Sequence, residues 1–139
     1  TLGHYEHKVF YVQEFVEKPG RDIRVLATDG EPVAAMVRSS DHWLTNAAQG
    51  AETEAFELDE EAKRLVEEAS EAVGNGLLGV DLMEVGVDEG GEPTGYTVHE
   101  VNHTVEFKAL ADATDTDVAA EVVDWLEAKA EAEAEVTAQ

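Results

Sequence analysis

The chain has 139 residues, enough for one domain with a core of its own. Its 32 Asp and Glu against 9 Lys and Arg leave a formal charge of −23, which argues against a phosphate-neutralising nucleic-acid surface and against docking on anionic membrane. No run reaches the ~20 apolar residues of a membrane-spanning helix, and the absence of cysteine removes disulfides, thiol nucleophiles and thiolate metal sites.

The chain starts at Thr1 with no signal-peptide pattern, and reads as a piece of a larger cytoplasmic protein. Hydrophobic residues make up 43% and fall in clear periods, which speaks for a fold rather than disorder. An acidic, lysine-poor surface over such a core suggests a salt-rich cytoplasm, because molar salt shortens the Debye length to about 3 Å and screens self-repulsion. An ordinary acidic protein is the alternative.

Residues 8–16 are β-branched and aromatic and predict a strand, closed by the turn signal Lys18-Pro19-Gly20. Residues 22–28 alternate, with Asp22 and Arg24 on one face, and Asp29-Gly30 turns the chain into a second strand through about Ser39. Residues 41–51 have no sustained period and read as a loop, and 53–57 as a short strand. Asp59 then caps a helix with Glu60 and Glu61 in its first turn. Ala62, Leu65, Val66, Ala69 and Val73 form its apolar stripe, and Gly74-Asn75-Gly76 ends it. Residues 77–85 and 96–103 are strands around an acidic turn, 86–95. After a further loop, Thr116 or Asp117 caps a last helix carrying Val118, Val122, Trp125 and Leu126. The expected fold is α+β, a mainly antiparallel sheet with two helices packed on one face, over residues 1–127. Residues 128–139 are an acidic Ala/Glu tail, a fraying helix end.

Three groups of residues could carry chemistry. Glu100 and Asn102, two apart on a strand, share a face, and Asp81 in the preceding strand can stand across from them. Three oxygen donors suit a hard cation such as magnesium, although acidic residues are common enough here to meet by chance. Arg21, Arg24 and Arg38 cluster with Lys18 in one hairpin region, which suits an anionic target such as phosphate; ion pairing with the chain's own carboxylates is the alternative, chiefly for Arg21. His99-Glu100-Val101-Asn102-His103 matches H-E-x-x-H, but that motif needs a helix, and a strand sets the histidines about 13 Å apart. There is no P-loop, no G-x-G-x-x-G and no nucleophile elbow.

Taken together, YVQEFVEKPGRDIRVL, PVAAMVRSSDHWLTNAAQGA, GLLGVDLM and YTVHEVNHTVEFK resemble the carboxy-terminal part of ATP-grasp ligases of the RimK/LysX type, from about residue 8 to 127. That family joins an amino acid to a carboxylate through an acyl phosphate. The resemblance implies an ATP site in which Gln13, Glu14, Phe15 and Val16 lie along adenine, Asp22 lies near the ribose, and Thr45 and Asn46 lie on the loop reaching the reacting centre. It places Arg24 and Arg38 near the phosphates or the acyl phosphate, and makes Arg24, Arg38 and Asn46 the catalytic residues. It makes Asp81, Glu100 and Asn102 the ligands of magnesium, or of manganese in its place.

NHTVEFK resembles the LysX side of the group, whose members attach glutamate or α-aminoadipate to a small acidic carrier protein in arginine or lysine biosynthesis. Glu106, Phe107 and Lys108 then help shape the acceptor site. Gln49 departs from the arginine usual before Gly50. The alternatives are a RimK-like ligase glutamylating a ribosomal protein or a cofactor, and a non-catalytic nucleotide-binding module. Family members commonly form homo-oligomers, and their amino-terminal and central domains have no counterpart in these 139 residues, so this piece by itself is expected to bind nucleotide weakly and not to turn over.

Overall fold

The computed structural model describes residues 12, 16, 18–39, 52–86, 88–90 and 92–137. The strand expected over 8–16, apart from Val12 and Val16, and the loop expected over 41–51 lie outside the described residues. Strands β1 (Arg21–Thr28), β2 (Glu31–Ser39) and β3 (Glu52–Ala55) precede helix α1 (Glu60–Val73). Strands β4 (Leu77–Val85) and β5 (Gly95–Asn102) follow, then helices α2 (Lys108–Ala113) and α3 (Val118–Thr137). The strands form one antiparallel sheet in the order β3-β2-β1-β4-β5.

The local signals explain most of the boundaries. Asp29 and Gly30 turn β1 into β2 with φ of 50° and 89°, the doubly positive pair of a type I′ turn. The Asp59 carboxylate accepts the Ala62 N–H at 2.8 Å and caps α1, and Gly74 closes that helix in the left-handed region at φ 98°. The Tyr96 hydroxyl donates to the other Asp59 oxygen at 3.1 Å, tying β5 to the start of α1. Burial and that hydrogen bond push the Tyr96 phenol up to about 12.

The mainly antiparallel α+β architecture is as expected, but the helices divide over both faces of the sheet. Ala62 and Val66 of α1 pack with Ile23, Val25, Leu78, Val80 and Leu82. On the opposite face, Leu110 of α2 and Val118 and Val122 of α3 pack with Leu26 and Met36. The reason lies in β1. Asp22, Arg24 and Leu26 share one face, so that face begins polar and turns apolar, and its apolar end needs a cover of its own. Helix α2 stands where the sequence suggested a loop, since six residues are too few to display a helical period. Helix α3 runs on unbroken to Thr137.

One carboxylate fastens α3 to the sheet. Asp29 accepts the Trp125 indole N–H at 2.8 Å, lies 3.1 Å from the Lys129 ammonium and accepts the Gly76 N–H at 3.0 Å. These donors, Trp125 foremost, hold its carboxyl below the usual carboxylate range. Among the described residues no helix is long and apolar enough to cross a membrane.

Candidate functional site

Two β-bulges decide which side chains meet. In the β1–β2 hairpin Ala27 pairs with Pro32 but Leu26 pairs with Ala34, so Val33 is an added residue. Beyond it Asp22 faces Arg38; without the bulge it would face Val37. In the β4–β5 pair Leu82 faces Val98 but Asp81 faces Glu100, so His99 and Glu100 together occupy one step of β4. Strict alternation would put Val98, Glu100 and Asn102 on one face. The bulge sends Val98 and Val101 toward the α1 core and leaves Glu100 and Asn102 on the side of Asp81.

The result is a row across four strands: Met36, Arg24, Asp81 and Glu100. Asp22 and Arg38 flank it on one side, and Gly79 with Asn102 on the other. Residues directly opposite across antiparallel strands have Cβ atoms about 5 Å apart, so one ion can reach both carboxylates. A Cβ on Gly79 would lie 3.5 Å from the Val105 side chain and 3.9 Å from the Asn102 Cβ, in ordinary van der Waals contact with both. Asp81 is buried at 4% exposure, whereas Glu100 is exposed and Asn102 half-buried.

The arginines are fixed by carboxylates. Arg24 donates from Nε and Nη2 to the two Asp81 oxygens, each at 2.6 Å, a bidentate fork. Arg38 donates from Nε to Asp22 at 2.7 Å and reaches Asp81 with Nη2 at 3.2 Å. Burial works against the Arg38 charge, but the bonds and charges of Asp22 and Asp81 together hold its pKa above the ordinary arginine value. On the opposite face Arg21 forks onto the buried Glu84, with Nη2 2.8 Å from Oε1, while Lys18 donates to the Arg21 carbonyl at 2.7 Å. The pairing weighed for Arg21 is therefore real. Glu84 was not legible beforehand, because nothing in LLGVDLMEV shows which residue its carboxylate will meet.

The other expected residues divide cleanly. Val16 is half-buried, and Gln13, Glu14, Phe15, Thr45, Asn46 and Gln49 lie outside the described residues. Phe107 packs in the core under α2, Lys108 pairs with Asp112, and Glu106 is exposed. His99 sits in the bulge and His103 past the strand end, with no helix to unite them. Among the described residues no group of three or more His, Cys, Asp or Glu could hold a metal ion alone. Two carboxylates and an amide fit a hard cation that takes its remaining ligands from water and substrate phosphates.

The sequence pattern of the RimK-like ATP-grasp domain matches residues 3–126. The chain belongs to the RimK-like ATP-grasp family. It is 36% identical over 121 residues to a tetrahydromethanopterin:α-L-glutamate ligase of Methanococcus maripaludis, covering 85% of this chain and 39% of the relative. It is 37% identical over 101 residues to the α-aminoadipate–LysW ligase LysX of Saccharolobus solfataricus, covering 72% and 34%. It is 31% identical over 127 residues to the glutamate–LysW ligase ArgX of Sulfolobus acidocaldarius, covering 90% and 43%. The chain thus spans roughly two fifths of the length of these relatives. A structure of the ATP-grasp ligase PsnB with a phosphomimetic precursor variant, Mg and ADP shares the fold at TM-score 0.62 and 24% identity, covering 82% of this chain and 34% of that one.

Proposed function

We propose that this RimK-like ATP-grasp chain forms the carboxy-terminal part of an ATP- and magnesium-dependent carboxylate–amine ligase of a salt-rich cytoplasm, with residues 128–139 as an acidic tail. The observation that carries this reading is the row of Arg24, Asp81 and Glu100 across three neighbouring strands, with Asn102 beside it. Carboxylates directly opposite each other repel, and such a pair persists where a cation or guanidinium stands between them. Here Asp81, Glu100 and Asn102 hold the divalent cation, with manganese able to replace magnesium. A bound cation supplies charge neutralisation at the phosphate oxygens of ATP. Arg24 and Arg38 orient the phosphates and the acyl phosphate formed from the acceptor carboxylate. Gln13, Glu14, Phe15 and Val16 line the adenine, and Thr45 and Asn46 the reacting centre. Asp22, assigned near the ribose, also holds the Arg38 guanidinium in place.

The amino-acid substrate is glutamate or α-aminoadipate and the acceptor a small acidic carrier protein, a reading supported by the LysX and ArgX relatives. A second reading, glutamylation of a pterin cofactor, is favoured by the methanopterin-ligase relative, which matches a larger share of this chain than LysX does. The test uses the full-length protein with ATP and glutamate or α-aminoadipate, offered the carrier protein or the reduced pterin in turn. ADP release should require one acceptor and fall at least about a hundredfold in Glu100→Ala, since a cation contributes several kcal/mol to phosphoryl transfer. Undiminished ADP release in that variant would remove Glu100 from the site.

Salt tests the setting. A net charge of −23 on 139 residues should cost the folded state dearly where the Debye length is long. Dilution from 2 M KCl to low-salt buffer is expected to abolish the folded circular-dichroism signal. An unchanged spectrum would show that the acidity serves some other end.

A further inference from the structure

We propose that Arg24 is an internal counter-ion which a divalent cation displaces from Asp81, so that the incoming cation frees the Arg24 guanidinium for an anionic ligand. This rests on the reading of Asp81 and Glu100 as cation-binding carboxylates. Both Asp81 oxygens are taken by the Arg24 fork at 2.6 Å. Each carboxylate oxygen can take a second partner, as Oδ2 already does from Arg38, but the fork holds the side of the carboxylate facing both oxygens, so a cation that binds on that side displaces the Arg24 bonds.

The two arginines differ in their freedom to leave. The Arg38 side chain is 8% exposed and anchored through Nε to Asp22 at 2.7 Å, so it stays. The Arg24 side chain is 19% exposed, its neighbour on the β2 side of the row is Met36, and among the described residues Asp81 is the carboxylate that holds it. Charge favours the exchange. Asp22, Asp81 and Glu100 outnumber Arg24 and Arg38 by one, and Arg24 neutralises Asp81 while leaving Glu100 without an ion pair among the described residues. A divalent ion between Asp81 and Glu100 answers both carboxylates and turns the cluster's formal charge positive. The released guanidinium then stands beside that ion, which suits a polyanion carrying several phosphate oxygens.

Manganese alone is the probe. Free Mn²⁺ is counted by electron paramagnetic resonance in the full-length protein without nucleotide, in 2 M KCl to suppress diffuse binding to the acidic surface. Glu100→Gln identifies the site, since its binding should be lost there. Arg24→Gln should bind Mn²⁺ about tenfold more tightly than the parent, and Arg24→Lys about threefold, because lysine keeps the charge but lacks the fork. If Arg24→Lys matches the parent while Arg24→Gln tightens, removal of charge explains the result and displacement is overturned. Equal or weaker binding in both variants overturns it as well, and leaves the cation site itself standing so long as Glu100→Gln abolishes binding. A titration indifferent to Glu100→Gln defeats the cation reading and this proposal together. Should Arg24→Gln fail to fold, Arg24→Lys decides by itself.

Discussion

Asp81→Ala is expected to lower ligase turnover about a thousandfold and to cost about 3 kcal/mol of stability. The two losses have separate origins. On the proposed reading, turnover falls because the several kcal/mol that a bound cation contributes to phosphoryl transfer depends on an anionic oxygen at this point of the row. Stability falls because Asp81, 4% exposed, is the carboxylate onto which Arg24 forks and which Arg38 also reaches. Removing one member of a buried ion pair strands the other, and that costs about 3–5 kcal/mol; the lower end applies because Arg38 keeps Asp22 and Arg24 is partly exposed. Asp81→Asn keeps the shape and one acceptor oxygen, so it should recover part of the stability and little of the turnover. Denaturant unfolding in molar KCl beside the ligase assay separates the effects. A fully active Asp81→Ala protein would dissolve the proposed site.

Leu82→Ala should show the opposite signature, with a loss of about 2–5 kcal/mol and unchanged turnover in the protein that remains folded. Leu82 follows Asp81 in β4 but points to the other face, where it is fully buried with Ile23, Val80 and Val66 against α1. Truncation removes three carbons from a packed core and leaves a cavity that the sheet cannot close. The comparison residue is Leu126 on α3, 51% exposed, where the same change should move stability by no more than about 1 kcal/mol. Equal effects at the two positions would mean that the core lies elsewhere. Adjacent residues with opposite phenotypes are the functional expression of a strand's two-residue period.

How much of this was legible in the sequence follows from the range of each interaction. The Asp29-Gly30 turn, the Asp59 cap, the Gly74 stop and the apolar stripe of α1 are local, and each stands where its residues placed it. That β4 and β5 would pair and bring Asp81 near Glu100 was legible for a related reason, since a single connection joins the two strands. Three features were not. A single added residue at Val33 brings Arg38 opposite Asp22, and another at His99 separates Val98 from Glu100, yet no residue type announces a bulge. The division of the helices between faces depends on Leu26 and Met36 needing a cover that α2 and α3 supply from a distant part of the chain.

By itself, then, the sequence determined the five strands of the sheet, the capped helix and the family, because periodicity, turn chemistry and motif spacing act between near neighbours. Only the tertiary structure decided which carboxylate each arginine grips. That choice rests on strand register and on burial, and both are set by contacts between residues as far apart as Arg24 and Asp81.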